Sequence, residues 1–436
     1  MNLFKIKRMK TTKHKTTKTA EPIKPGYKKT KVGVIPEDWE VKRLGSQVHI
    51  DKRNIQSNFD QEYINYVSLS DISNGSITYQ KIPFKEAPSR ARRVAPKGSI
   101  LFATVRPNLK NFAIVDRNDI IASTGFAVLE SKKADIHFIF NFLYSYFAEK
   151  QFNALTVGSN YPALNSSDVK SLKIPIPPLP EQEAIADCLT TWDRAIEKQK
   201  KLINAKKLQK KGLMQQIFNG QLKVENACPE QGRKGQLIQA KDGEDFTKEW
   251  KEVRLGEVLK ESKIISKEND KFKRISVRLH LEGVDQRPVR GTEADSTTFY
   301  KRKAGQFIYG KQNFHNGALG IIPEEFDGFE TTSDIPSFDI NDKINHKWFF
   351  YYGSRFDFYR KMESRTMGTG SKRLHPNELF STKIPYPSLE EQTAIAEFLQ
   401  TADKEIELLE KQLTQLELQK KGLMQVLLTG EKRLVS

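Results

Sequence analysis

The sequence predicts an α/β (α+β) fold: two mixed α/β domains, separated and joined by two long helices that form an antiparallel coiled coil. Three observations carry that expectation. A stretch from Lys173 to Gly220 recurs, without a gap and with about half of its positions identical, from Lys383 to Gly430. Both copies carry apolar residues in alternating steps of four and three, a helix seam that needs a partner helix. The regions ahead of each copy hold short β-type runs between loops rich in Gly, Asn and Ser, the pattern of mixed α/β domains.

The repeat comes first. Trp39-Glu40-Val41-Lys42-Arg43-Leu44-Gly45 recurs as Trp250-Lys251-Glu252-Val253-Arg254-Leu255-Gly256, so the halves share their openings as well as their ends. A period of this length is too long for a solenoid and marks a duplicated domain pair. The middles have diverged almost beyond alignment. A trace remains where Lys97-Gly98-Ser99-Ile100-Leu101-Phe102 matches Ala304-Gly305-Gln306-Phe307-Ile308-Tyr309. One fold reading two different targets produces this pattern; neutral drift in one copy is the alternative. The boundaries that follow are a basic, disordered tail (1–33), a first domain (34–172), a first spacer helix (173–220), a linker (221–245), a second domain (246–382) and a second spacer helix (383–436).

The spacer helices have start and stop signals. Each follows a proline-punctuated strand, Ile174–Pro178 and Ile384–Pro387, because proline forbids helix continuation. Ser388 with Glu391 forms a capping box, and Gly220 and Gly430 suit the C-terminal stop. About 40 residues of helix span roughly 60 Å. The second seam runs Ile395, Leu399, Ala402, Ile406, Leu409, Leu413, Leu416, Leu423 and Leu427. The first runs Ile185, Leu189, Trp192, Ile196, Ile203, Leu213 and Ile217, interrupted by Gln199, Lys206 and Lys210. The two helices are expected to pack on each other, antiparallel because a whole domain lies between them; packing of each on its own domain is the alternative. The shared run Gln209–Gln215, recurring as Gln419–Gln425, suggests that something outside the chain docks twice on one surface.

Within the domains, Tyr66–Leu69, Ser99–Phe102 and Phe126–Leu129 read as strands. One amphipathic helix is expected in each, near His137–Gln151 and Lys347–Met362. Residues 1–31 are Lys-rich and read as a disordered, weakly phosphate-binding arm.

Charge points to the partner. Lys and Arg outnumber Asp and Glu by 72 to 54, a net +18, which favours a polyanion, nucleic acid first and acidic membrane second. With 37% hydrophobic and 10% aromatic residues the domains can bury cores. Cys188 and Cys228 belong to no disulfide or zinc pattern, the N-terminus lacks an apolar signal region, and no run reaches the ~20 apolar residues of a membrane span. A soluble cytoplasmic protein without membrane association is expected.

Catalytic constellations do not emerge. Gly305–Lys311 approaches a P-loop, but Gln312 stands where the magnesium-holding hydroxyl belongs. Pro177-Pro178 is flanked by Ile176 and Leu179, so it supplies neither the hydrogen-bonding side chain nor the stacking ring of an adenine methyltransferase motif. The His, Cys and Asp residues show no metal-ligand spacing.

The duplicated Lys-Ile-Pro-x-Pro-x-Leu-x-Glu-Gln-x-Ala-Ile-Ala segments and the two diverged domains resemble the specificity (S) subunit of type I restriction–modification systems, from Ile35 to the C-terminus. The Lys-rich first 30 residues lie outside that pattern. The resemblance implies two target recognition domains, each reading half of a split double-stranded DNA target. It implies a helical spacer that binds two methyltransferase (M) subunits, with restriction (R) subunits as further partners. S-adenosylmethionine, ATP and Mg belong to those partners, and this chain holds no cofactor or metal and no catalytic residue. Two readers one DNA turn apart (~34 Å) meet similar groove faces, so spacer length sets half-site spacing. The alternative is a non-enzymatic architectural protein that bridges DNA.

Candidate contacts follow from side-chain chemistry, since Arg suits guanine and Asn or Gln suits adenine, each bidentately. In the first domain they are Arg90, Arg92, Arg93, Thr104, Arg106, Asn108, Lys110, Ser159, Asn160 and Tyr161. In the second they are Lys301, Arg302, Lys303, Lys311, Gln312, Asn313, His315, Thr369, Ser371, Lys372 and Arg373. For any one of them, phosphate contact or plain solvation competes with base reading.

Overall fold

The computed structural model describes residues 23–434 apart from 57–58, 74, 157–161, 226–235, 269, 290–296 and 368–371. The chain divides into two compact units, residues 1–198 with 413–436 and residues 199–412. Each unit therefore contains one α/β domain and a half of each long helix.

In the first unit, Phe112–Ile114, Ile100–Ala103, Phe126–Ser131 and Val48–Ile50 form an antiparallel sheet in that order. Strands 100–103 and 126–131 are buried almost throughout, as expected for β-type runs at the centre of a sheet. A second sheet orders Gln80–Pro83, Tyr63–Val67, Ile120–Ser123 and Ala91–Ala95. Residues of both sheets and of the helices after them meet in one core containing Phe102, Phe112, Phe138 and Phe152.

The second unit repeats the first sheet strand for strand: Leu319–Ile321, Phe307–Tyr309, Ser337–Ile340 and Leu259–Ser262. Its other strands form pairs, Ile275–Val277 with Val284–Gln286 and Tyr300–Lys301 with Glu330–Thr331. The diverged middles thus share a sheet order that the sequence alone did not reveal. The near-match to a P-loop is dissolved by strand 307–309, whose partner is 319–321.

Three expectations need correction. Each single amphipathic helix is two: Ile136–Leu143 with Tyr146–Leu155, and His346–Gly353 with Phe356–Lys361. In the first pair the break falls at Ser145, whose side chain caps the new helix by accepting from the Ala148 N–H. The expected disordered tail contains a hairpin pairing Tyr27–Thr30 with Gly33–Pro36. The expected linker likewise contains a strand pair, Leu222–Glu225 with Gln236–Gln239.

The long helices run Leu179–Phe218 and Leu389–Leu427. Ile185 and Leu189 join the core of the first unit, and Ile395 and Leu399 join that of the second. Both expectations for the seam hold in part: helix starts pack on their own domain, while the stretches beyond them pair with the other helix. In the first unit Lys420 of the second helix pairs with Asp193 of the first at 2.5 Å. In the second unit Lys210 pairs with Asp403 (2.5 Å), Lys206 with Glu405 (2.7 Å) and Lys207 with Glu410 (2.6 Å), an antiparallel progression. The polar interruptions of the first seam are therefore satisfied across it. Gln199 donates to the Leu409 carbonyl at 2.9 Å. Ile196, Ile203 and Ile406 are buried, whereas Trp192, Leu213, Leu409, Leu413, Leu416 and Leu423 are half-buried.

The duplicated Trp and Glu-Gln are explained by one tie built twice. Trp39 Nε1 donates to Glu181 at 3.1 Å, and Trp250 Nε1 donates to Glu391 at 3.1 Å. Gln182 caps the Pro177 carbonyl and accepts from Asp135 N–H, as Gln392 does with Pro387 and Asn345. Ser388 accepts from the Glu391 N–H, but the Glu391 carboxylate serves the indole, so only half of the capping box forms.

The two ties differ in their third member. Arg433 forks onto Glu181 (2.6 and 2.7 Å) and Asp38 (2.8 and 3.0 Å). The matching position in the second half is Lys223. Burial raises the Glu391 carboxyl above its ordinary range, against the Trp250 hydrogen bond and Lys223. Hydrogen bonding to Arg433 holds Asp38 below its ordinary range. Glu181→Gln should cost about 2–3 kcal/mol at neutral pH, because it strips a charged acceptor from a buried site. Glu391→Gln should change stability by less than about 1 kcal/mol or raise it, since burial already disfavours that charge. The sign with pH is opposite in the two halves. On acidification from neutral pH the second unit gains stability as Glu391 takes its proton at its raised pKa. The Asp38 contribution persists until pH falls through its lowered pKa. Denaturation midpoints of both variants across pH check this.

Candidate nucleic-acid interface

Strand Ile100–Ala103 leaves the first core through a loop that makes a 3-10 turn at Pro107–Leu109 before strand Phe112–Ile114. Arg106 before the turn and Lys110 after it have positive φ, 51° and 54°. Residues with a Cβ seldom hold such backbone unless surrounding contacts impose it. Here they do. Arg106 N–H donates to the Pro162 carbonyl (2.8 Å) and Leu164 N–H to the Thr104 carbonyl (2.9 Å). Thr104 Oγ1 donates to the Gly125 carbonyl, and Lys110 is held by the Tyr144 carbonyl (3.1 Å) and Glu149 (2.7 Å). The side chains presented outward are Arg106, Asn108 and Leu109, the last 61% exposed. Ser159, Asn160 and Tyr161 lie outside the described residues.

The second unit builds the same loop from other residues. Strand Phe307–Tyr309 leads to a 3-10 turn at Phe314–Asn316 and then to strand Leu319–Ile321. Leu374 N–H donates to the Lys311 carbonyl at 2.8 Å, as Leu164 does to Thr104. Gly317 takes the left-handed position of Lys110, with φ 75°. Asn313 therefore stands in the place of Arg106, His315 in that of Asn108, and Asn316 in that of Leu109. Burial lowers the pKa of Lys311 despite Asp334 nearby. Gln312 is exposed, Asn313 accepts from Asn316 Nδ2 (3.3 Å), and the His315 carbonyl accepts from Arg360 (3.4 Å). Lys372 and Arg373 flank the same loop, bound to Glu363 (3.8 Å) and Asp334 (3.5 Å). Thr369 and Ser371 lie outside the described residues.

The remaining candidates separate by burial. Arg90 and Arg92 are exposed, donating to the Tyr66 hydroxyl (3.3 Å) and the Ser89 carbonyl (3.1 Å). Arg93 is committed inward, paired with Asp51 (3.1 Å) and donating to Asn54 (3.2 Å). Lys303 is exposed, while Lys301 pairs with Glu268 at 2.5 Å. Arg302 is a correction: it is 1% exposed and cannot meet DNA. Its guanidinium donates to Thr331 Oγ1, Ser337 Oγ and the carbonyls of Ser262, Ile335 and Thr332. In the first half the matching position is the buried Ala95. Nothing in the Lys301-Arg302-Lys303 triplet distinguishes the buried member. Among the described residues no helix is long and apolar enough to cross a membrane, and no cluster of three or more His, Cys, Asp or Glu could hold a metal ion.

Two domains with one sheet order and different polar side chains on corresponding loops, each tied to a repeated helix, fall within a known family. The type I restriction modification DNA specificity domain matches residues 36–205 and again 247–418. The chain belongs to this family.

Similarity to relatives extends along the whole subunit. A protein named for the MjaX type I restriction enzyme specificity subunit of Methanocaldococcus jannaschii is 26% identical over 451 residues, 93% of this chain and 96% of that one. The MjaVIII specificity subunit of the same organism is 26% identical over 417 residues, covering 92% and 94%. A solved chain from work on complex assembly and conformational transition of the type I system shares the fold. Its TM-score is 0.58 at 21% identity, covering 91% of this chain and 99% of that one. As in other specificity subunits of these systems, the two diverged modules here are DNA specificity domains.

The helices of this specificity subunit carry a second repeated feature. Leu208, Gln209, Lys211, Gly212 and Gln215 are exposed, and so are their counterparts Leu418, Gln419, Lys421, Gly422 and Gln425. Other exposed pairs have drifted, such as Lys200 with Glu410 and Lys207 with Glu417. Leu208, Lys211, Gly212 and Gln215 fall on one helical face by their spacing. A Cβ on Gly212 or Gly422 would meet open space, so the fold of this chain does not require either glycine.

Proposed function

We propose that the chain is the non-catalytic specificity subunit that reads a bipartite, asymmetric DNA target, one half-site per domain, and docks methyltransferase and restriction subunits. The observation that carries the reading is the loop built twice on equivalent strands with Arg106 and Asn108 in one copy and Asn313 and His315 in the other. Corresponding turns with different donors present different partners to base edges, so the two domains read different bases. The repeated outward stripes support docking of two copies of one partner, the methyltransferase subunit. S-adenosylmethionine, ATP and Mg are assigned to those partners.

The test is local. Arg106→Ala, in the assembled methyltransferase complex, should relax recognition at one or two bases of one half-site, costing about 1–3 kcal/mol there. The other half-site keeps its sequence. Equal weakening at both halves would overturn the modular reading.

A further inference from the structure

The first unit holds a basic groove, and half of its lining lies ahead of the residues matched by the family. The hairpin Tyr27–Thr30/Gly33–Pro36 ends at residue 36, where the family match begins. Together with the strand pair Glu40–Arg43/Lys173–Ile176 it borders a groove of about 490 Å³. Lys28, Lys29, Lys31, Lys42, Arg43 and Lys173 line it, with Thr30 and Val41, and no carboxylate does so among the described residues. Lys42 is ion-paired with Glu40, and Lys28 donates to the Glu37 carbonyl at 2.6 Å. Burial first, then the charges of Lys31 and Arg43, pull the Lys173 ammonium below its ordinary range. Cations gathered this closely repel one another unless an anion joins them.

Among the described residues the second unit lacks this arrangement. There Lys383, the counterpart of Lys173, is ion-paired with Glu252 at 3.0 Å. The strand that precedes the second tryptophan, Gln236–Gln239, carries no charged residue. The first 43 residues contain 13 Lys and Arg against 4 Asp and Glu, half of the net +18 of the chain.

We propose that this groove is a phosphodiester-binding site through which the N-terminal hairpin grips DNA without regard to sequence, in the first half only. It rests on the DNA-reading function proposed above. A diffuse polyanion fits the groove better than an acidic protein surface does. Its lining offers one apolar residue, Val41, and no aromatic anchor of the kind that protein interfaces use.

The experiment measures binding of a fluorescein-labelled duplex of random sequence to the full chain as salt rises from about 50 to 200 mM. The variant carries Lys28→Gln, Lys29→Gln and Lys31→Gln. It should bind about tenfold more weakly, and the slope of log affinity against log salt should fall by about 0.9 for each phosphate no longer neutralised. Arg43→Gln, on a different strand, should move both readings in the same direction by less, which separates the site from any misfolding of the hairpin. Unchanged affinity and slope, in a wild type that binds, would overturn the proposal and leave the DNA-reading function standing. A wild type that fails to bind duplex even at low salt would remove that function as well. Unchanged duplex binding with release of the methyltransferase subunit would assign the groove to an acidic protein surface and overturn the proposal too.

Discussion

Arg302→Ala lowers the stability of the second domain by about 3–5 kcal/mol, the combined cost of several buried acceptors left without a donor and of the cavity opened. The guanidinium lies in the interior, and burial pushes its pKa down to about 10. It is retained because it satisfies the Thr331 and Ser337 hydroxyls and the Ser262 and Ile335 carbonyls together. Truncation orphans those acceptors and opens a cavity, and each effect is destabilising. Arg302→Met restores much of the volume but none of the donors, so its cost should be intermediate, about 2 kcal/mol. Denaturant unfolding of the full chain should show a shifted transition for the second unit, with that of the first unit in place. A variant of normal stability that binds DNA poorly would instead return Arg302 to the DNA surface.

Gly212→Leu together with Gly422→Leu abolishes docking of the methyltransferase subunit while making the long helices more stable. An exposed glycine inside a helix costs about 1 kcal/mol relative to a good helix former, so either substitution alone should raise stability by up to that amount. Among the described residues, nothing lies within 4 Å of where a Cβ on either glycine would stand. Under the proposed docking, their repetition is accounted for by close approach of the methyltransferase subunit, which a leucine side chain would block. Disrupting a central interface position of this kind costs at least about 2 kcal/mol, or some thirtyfold in affinity per site. The single variants should each release one of two copies, as mass measurement of the assembled complex would show. Retention of both copies by the double variant would separate the stripes from docking.

Much of the fold was legible because duplication leaves the constrained parts nearly unchanged. Trp39 and Trp250, Glu181 and Glu391, and the glycines ending both helices appear as matched signals, and each has a matched role in the structure. The helix bounds were legible from proline before and glycine after. The shared sheet order was not, because a buried strand needs only apolar residues of suitable size. Val128-Leu129 and Ser337-Phe338 fill equivalent places without resembling each other. The broken helices escaped because Ser145 reads as a tolerable helix residue until its side chain is seen capping.

The candidate site was legible by composition more than by position. Arg106, Asn108, Asn313 and His315 each stand out by side-chain chemistry, but their equivalence rests on backbone hydrogen bonds from Leu164 and Leu374. Arg302 misleads because burial follows from a sheet register that the Lys-Arg-Lys triplet does not encode. The basic groove is not legible in the sequence because Lys42 and Arg43 are far along the chain from Lys173 and meet it only through strand pairing.

The most direct measurement is single-molecule methylome sequencing of cells expressing this chain with and without the methyltransferase subunit. The account predicts a new split motif, with two unlike halves at a fixed gap, methylated on both strands only when both proteins are present. An active, bound methyltransferase that leaves no such motif, or one that methylates the same motif without this chain, would contradict it.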